Sequence, residues 1–125
     1  MSVSIVSLEH VNLRVDPEVE AASKDFYGTV LGLREVPKPE ELRRRGGAWY
    51  QLGSVQLHLS RDRNAGNEGS KRHICLLVGD LAQAKERLTE SGVEVIPDDQ
   101  PMSGSARFYV RDPGGNLIEI AERKT

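Results

Sequence analysis

The chain contains three histidines, and each lies in a run of residues typical of a β-strand. His10 opens the run HVNLRV, His73 opens HICLLV, and His58 lies within VQLHLS. A carboxylate, Glu119, lies in a fourth run of this kind, NLIEIA. Imidazole nitrogens and carboxylate oxygens are ligands for divalent transition metals such as zinc, nickel, cobalt, manganese or iron. The four side chains therefore predict a metal site, but residue types alone do not name the ion.

Each of these residues taken alone has a simpler interpretation. A single histidine in a strand is more often a structural or surface residue than a ligand. His58 beside Gln56 fits an exposed polar row, and Glu119 fits a solvated charge in the last strand. Repetition favours the metal site, because His10 and His73 take equivalent places in two similar halves of the chain. His58 and Glu119 do the same.

Strand geometry predicts which side chains accompany the metal-binding groups. Alternate residues of a strand point to one face, so Asn12 and Arg14 should share the face of His10. Gln56 accompanies His58 in the same way. Arginines on such a face could hold a carboxylate or a phosphate through paired hydrogen bonds. The predicted substrate-binding residues are Asn12, Arg14, Gln56, Arg107 and Tyr109.

The elements that carry these residues occur twice. The runs EHVNLRVDPEVEAASKDFYGTVLGLREVP and RHICLLVGDLAQAKERLTESGVEVIP share the order strand, acidic residue, amphipathic helix, glycine, short strand and proline. Two further strand-like runs follow each of them, AWYQL and VQLHLS in the first half and ARFYV and NLIEIA in the second. The pattern predicts two modules of strand, helix, strand, strand and strand. We place them at residues 4–60 and 71–123, joined by a linker at 61–70.

Caps and apolar stripes locate the two helices. Asp16 followed by Pro17 predicts the start of the first helix, and Asp80 the start of the second. Gly92 suits the end of the second helix. The apolar residues expected to cover a sheet are Val19, Ala22, Phe26 and Val30 in the first helix and Leu81, Ala84 and Leu88 in the second.

The composition excludes several classes of partner. The 17 Lys and Arg residues nearly balance the 19 Asp and Glu residues, and the net charge of −2 argues against nucleic acid or an anionic membrane surface. No apolar run approaches the roughly 20 residues that span a bilayer, and the first residues lack a signal-peptide pattern. The lone Cys75 argues against a disulfide framework and is expected to be a small buried residue. We therefore expect one cytoplasmic domain covering residues 1–125.

The motifs of the chain resemble the vicinal oxygen chelate superfamily, which includes glyoxalase I, fosfomycin-resistance thiol transferases, extradiol dioxygenases, methylmalonyl-CoA epimerases and bleomycin-binding proteins. The matching stretches are HVNLRV, FYGTVLGL, GSVQLHLS, HICLLVGDL and FYVRDPGGNLIEI. The resemblance implies the α+β class, with two βαβββ modules whose curved mixed sheets face each other around a cavity. It also implies a homodimer and a divalent metal ion whose ligands are His10, His58, His73 and Glu119.

The resemblance implies lyase or isomerase chemistry of the glyoxalase type. The metal would act as a Lewis acid on a small oxygen-chelating substrate, and Glu119 or a water on the metal would move the proton. Bacterial glyoxalase I enzymes commonly have glutamate at the place of His58, so this site is more electropositive. A fosfomycin-type transferase, using a thiol co-substrate, is a second candidate in which Tyr109 matches an active-site tyrosine and Asn12 replaces a threonine. A non-catalytic protein that sequesters a small molecule is a third candidate, and an extradiol dioxygenase is a fourth.

Two features near the predicted site each have two interpretations. Runs of charge are usually solvated connections, but the stretch KPEELRRRGG at residues 38–47 could instead be a flap over the cavity. Trp49 fits either the wall of a cavity or the core.

Overall fold

The computed structural model describes residues 1–98 and 106–124. It divides into two compact units, Met1–Ala65 and Gly66–Thr125, and each is described by itself below. The division falls inside the predicted linker. The assignment of both units to a single domain stays a prediction.

The first unit is a four-stranded mixed sheet with most of its helical turns between the first two strands. Its strands are β1 (His10–Val15), β2 (Arg34–Val36), β3 (Ala48–Leu52) and β4 (Val55–Arg61), and their order in the sheet is β1-β4-β3-β2. β1 pairs with β4 in parallel, and the other pairs are antiparallel. Helix α1 (Glu20–Asp25) is preceded by a 3₁₀ turn at Pro17–Val19 and followed by a π-helical turn at Phe26–Val30. A further 3₁₀ helix, Glu40–Arg45, lies between β2 and β3.

The second unit repeats this arrangement. Its elements are β5 (His73–Val78), helix α2 (Leu81–Glu90), β6 (Ile96–Pro97), β7 (Arg107–Arg111) and β8 (Leu117–Glu122). The sheet order is β5-β8-β7-β6, with β5 and β8 parallel and the other pairs antiparallel. The α+β class and the two βαβββ modules with mixed sheets are thus confirmed. No helix in the described ranges is long and apolar enough to cross a membrane.

Local signals position the helices as predicted. The Asp16 carboxylate accepts a hydrogen bond from the Glu18 backbone N–H at 2.8 Å, and Asp80 accepts one from the Gln83 N–H at 3.0 Å. These bonds satisfy backbone donors that have no partner within a helix. Gly92 follows α2 with a φ of +82°, which an L side chain rarely adopts. Each helix is therefore held at the point where its strand ends.

The core lies on the sheet faces opposite the histidines. Leu57 and Leu59 of β4 are fully buried, as are Ile118 and Ile120 of β8. Burying an aliphatic side chain of this size contributes roughly 1.5–3 kcal/mol. Alternation along these strands correctly predicts which residues form the core.

The buried face of α1 differs from the predicted stripe. Ala22 is exposed, whereas Ser23, Phe26 and Tyr27 are buried. Ser23 tolerates burial because its hydroxyl donates to the Val19 carbonyl at 2.7 Å. The prediction for Ala22 was wrong. It placed an apolar residue on the buried face, whereas the buried position belongs to Ser23, whose hydroxyl is hydrogen-bonded within the helix.

The connection between β7 and β8 depends on one buried carboxylate. Asp112 is only 4% exposed and accepts hydrogen bonds from the Gly114 N–H at 2.9 Å and the Asn116 N–H at 2.8 Å. The Asn116 side-chain amide donates a third bond at 2.9 Å. The DPGGN stretch is therefore a turn organised by its aspartate.

Replacing Asp112 with alanine is expected to lower the free energy of unfolding by about 2–4 kcal/mol, because buried donors lose a charged acceptor. Urea unfolding followed by circular dichroism measures this loss. Asp80→Ala is the matched control, since it removes one bond at an exposed helix start and should cost about 1 kcal/mol. Equal losses in the two variants would contradict the role of the buried turn.

Candidate functional site

In the first unit, strand pairing brings the predicted groups to one face of the sheet. His10 lies opposite Gln56, and Asn12 lies opposite His58 in the parallel register of β1 and β4. Alternate residues of paired strands point the same way, so these four side chains share the face opposite the core. The shared face predicted from the sequence is confirmed.

The rings of three residues on this face form a continuous stack. His10 and His58 stack with centroids 4.2 Å apart, and Trp49 stacks on the other side of His58 at 4.0 Å with the planes 3° apart. Trp49 is the register partner of His58 in β3. The His58 side chain is therefore fixed between two flat neighbours and only 7% exposed. Trp49 belongs to the wall beside His58.

Hydrogen bonds determine which nitrogen of His58 carries a proton. The Gln51 amide nitrogen donates to the Gly53 carbonyl at 2.7 Å, so its amide oxygen accepts from Gln56 at 3.3 Å. The Gln56 oxygen then faces His58 Nε2 at 2.9 Å. An amide oxygen only accepts, so His58 carries its hydrogen on Nε2 and its lone pair on Nδ1. This chain of bonds gives Gln56 a role in positioning the His58 ring.

His58 is held as a neutral imidazole. Burial is the largest effect that lowers the pKa of His58, and the charge of His10 lowers it further, while Glu9 opposes the shift. The neutral ring is the form that binds a metal. The surroundings of His58 therefore favour the state that a ligand requires.

His10 is oriented by the residue before it. Its Nδ1 lies 2.9 Å from a Glu9 carboxylate oxygen, which can only accept the Nδ1–H, so Nε2 is the ring nitrogen that remains for a ligand. Metal-binding histidines commonly donate their second ring N–H to a carboxylate or a carbonyl in this way.

The second unit holds a histidine and a carboxylate together. His73 Nε2 lies 3.2 Å from Glu119 Oε1, and His73 Nδ1 lies 2.9 Å from the Lys71 carbonyl oxygen. The carbonyl accepts the Nδ1–H, so Nε2 faces Glu119. The other Glu119 oxygen is 3.6 Å from Arg107 Nη1, and Arg107 also bonds Asp98 at 2.7 Å. Glu119 is thus placed between an imidazole and a guanidinium.

Two further side chains of the second unit border Glu119. Cys75 and Tyr109 are its register partners on the neighbouring strands, and the Tyr109 ring meets the His73 ring edge to face at 5.8 Å. Cys75 is exposed, so the expectation of a buried residue was wrong. It alternates in phase with His73, which places it on the polar face. Partial burial and a hydrogen bond with Glu119 raise the pKa of the Cys75 thiol.

The remaining predicted substrate-binding residues have partners of their own. Asn12 accepts a hydrogen bond from the Ser60 hydroxyl at 2.6 Å. Arg14 bonds Asp62 at 2.7 Å and is about half exposed. Sequence reasoning did not include Ser60, although it alternates in phase with His58 and could have been found by the same rule.

The family of the chain follows from this fold and its motifs. The family model of the Glyoxalase/Bleomycin resistance protein/Dioxygenase superfamily matches residues 7–120. The chain belongs to this superfamily. The match spans both modules, including all the candidate ligands, and confirms the resemblance found in the motifs.

Relatives within the superfamily include named enzymes. The chain is 30% identical to the lactoylglutathione lyase of Salmonella typhimurium, with 94% of this chain and 93% of the relative covered. It is 27% identical to the ethylmalonyl-CoA/methylmalonyl-CoA epimerase of Cereibacter sphaeroides, covering 92% and 96%. A glyoxalase family structure from Bacillus anthracis matches with a TM-score of 0.87 at 36% identity, covering 99% of this chain and 100% of that one.

Members of the superfamily typically use divalent metals, and imidazole nitrogens and a carboxylate are donors of the kind that such an ion binds. Within residues 1–98 and 106–124, no three His, Cys, Asp or Glu side chains form a group that could hold a metal. The candidate ligands lie as one pair in each unit, and the four-residue set stays a prediction.

Proposed function

We propose that the chain is a divalent-metal-dependent enzyme of the glyoxalase type. It carries out lyase or isomerase chemistry on a small oxygen-chelating substrate through an enediolate-like intermediate. One observation carries this proposal: His10 and His58 each bond an acceptor through one ring nitrogen and leave the other nitrogen for a ligand, and His73 Nε2 lies beside the Glu119 carboxylate. The lyase and the epimerase among the relatives support the reaction class.

The proposed ligand set is His10, His58, His73 and Glu119. A bound divalent ion supplies Lewis-acid stabilisation of charge on a substrate oxygen. These residues would together hold one ion, with the ligands supplied by one chain or by both chains of a homodimer. Mixing a His58→Ala variant with a Glu119→Ala variant distinguishes these cases. In a heterodimer of the two variants, an intersubunit arrangement gives one site with all four ligands. If each site lies within one chain, every site lacks a ligand.

Glu119 is the proposed proton carrier. Its carboxylate is 12% exposed and lies 3.6 Å from the Arg107 guanidinium, so it is largely shielded from water beside a positive charge. It takes a proton from a substrate carbon and returns it to the neighbouring position. Arg107 and Tyr109 orient the substrate on this side, and Asn12, Arg14 and Gln56 do so beside His58.

Metal dependence tests the proposal directly. The purified protein is expected to contain a stoichiometric divalent metal, and removing it with a chelator should lower Tm by at least about 5 °C, because the ion binds only the folded chain. Readdition should restore Tm. His73→Ala should abolish the chelator effect while leaving the fold measurable by circular dichroism. A Tm and turnover indifferent to metal would count against the proposal.

The same preparations distinguish the competing activities. Consumption of a thiol co-substrate indicates a fosfomycin-type transferase, and iron with oxygen consumption indicates an extradiol dioxygenase. Tight ligand binding without turnover indicates a sequestering protein. The homodimer and the cytoplasmic location remain predictions, which size-exclusion chromatography and cell fractionation test.

A further inference from the structure

A cavity of about 320 Å³ lies beside His58 in the first unit. Its lining includes His58, Trp49 and Asn12 from the polar face of the sheet. The stretch at residues 38–47, here called the basic segment, provides further lining residues. The basic segment therefore borders the predicted site, as the flap interpretation expects, instead of being only a solvated connection.

The lining of this cavity is strongly positive. Lys38 and Arg45 from the basic segment and Arg61 from β4 line it, and no Asp or Glu is among the lining residues of the described chain. A carboxylate nearby, that of Glu20, lies 4.0 Å from Arg61 and also accepts the Gly47 N–H. One carboxylate near three cations leaves a surplus of positive charge.

The partners of two of these cations are carbonyl groups. Lys38 Nζ donates to the Gly46 carbonyl, and Arg61 donates to the carbonyls of Arg45 at 2.9 Å and Arg44 at 3.3 Å. These bonds orient the cations but do not neutralise them. Burial, and to a smaller extent Arg45 and Arg61, lower the pKa of Lys38 against the opposing effect of Glu20. Such crowding of positive charge favours an anion in the cavity.

We propose that this cavity is an anion subsite that binds a carboxylate or phosphate group of the substrate whose reacting end lies at His58. The inference rests on the proposed function, which it extends by naming an anionic substrate class. Lys38, Arg45 and Arg61 supply charge. Asn12 accepts the Ser60 hydroxyl through its amide oxygen, which leaves its amide nitrogen as a donor. The flat rings of Trp49 and His58 form the wall.

Fluorescence of Trp49 tests the subsite, because it is the only tryptophan in the chain and lines the cavity. Metal-free protein is titrated with inorganic phosphate, and separately with acetate, at fixed ionic strength. We expect a saturable change with at least one of these probes. Arg45→Gln should weaken it at least about fivefold, since one charged donor is lost. No side-chain bond of Arg45 supports the described fold, so this variant should fold normally.

Arg44→Gln is the matched control. It removes the same charge from the same exposed segment, at a position that does not line the cavity, so binding should change less than about twofold. Equal weakening in both variants, or no saturable change in the wild type, overturns the subsite. The anion titration uses metal-free protein, so its result does not depend on the metal experiment. If the protein binds a metal but no anion, only the subsite is contradicted. Anion binding without metal binding removes only the proposed metal-dependent function.

Discussion

The Glu119→Gln variant is expected to lose at least about a hundredfold in kcat, because glutamine cannot accept the proton that a positioned carboxylate transfers. The side chain keeps its size and a carbonyl oxygen near His73, so the sheet should fold unchanged. Turnover is measured with lactoylglutathione and with methylmalonyl-CoA, the compounds that appear in the names of the two relatives. Metal content is measured on the same samples, because Glu119 is also a proposed ligand.

Glu122→Gln provides the control for this result. It makes the same change in charge on the same strand, but Glu122 alternates out of phase with Glu119 and accepts the Leu81 N–H at the start of α2. Its kcat should stay within about twofold of the wild type, since the first helix turn lies outside the candidate site. Retention of wild-type kcat by Glu119→Gln would remove Glu119 from the mechanism.

Gly47→Ala is expected to cause a larger loss of stability than alanine at other glycines of positive φ, about 3 kcal/mol or more. Gly47 has a φ of +75°, and a Cβ there would overlap the Leu59 carbonyl oxygen of the neighbouring strand. That oxygen belongs to backbone and cannot move aside as a side chain would. Because small domains are stable by only about 5–15 kcal/mol, urea unfolding should show a large shift in midpoint.

Gly53→Ala separates the two causes of this loss. Gly53 also has a positive φ, +60°, but nothing lies within 4 Å of a Cβ at that position. It should lose only about 1–2 kcal/mol, the cost of the left-handed conformation itself. If Gly47→Ala loses no more than Gly53→Ala, close packing against Leu59 is not what makes Gly47 necessary.

Much of the site could be predicted because its information is local. Alternation along a strand assigns His10 and Asn12 to one face without knowledge of the partner strand. The same rule assigns Glu119 to a polar face and Ile118 to the core, and the structure agrees. The repeated order of elements adds the equivalence of the two modules, which the sheet orders confirm.

What could not be predicted depends on register and on long side chains. The stack of Trp49 on His58 requires the two strands to pair at one offset, and a shift of one residue would turn Trp49 to the opposite face. The bond between Arg14 and Asp62 joins a first strand to the start of the linker. The shape of the cavity depends on where residues 38–47 lie relative to the sheet. No periodic pattern in the sequence predicts that position.

The parallel pairing of the first and last strands has a consequence for how each half-site arises. His10 and His58 come into contact only when β4 pairs with β1, and all the other elements of the module lie between these two strands along the chain. Such closure has a high contact order and is slow compared with helix formation. During synthesis, the side chains of His10 and His58 are therefore not held together until the last strand of the module pairs with the first. Formation of the His10–His58 stack therefore marks the completion of the sheet of this module.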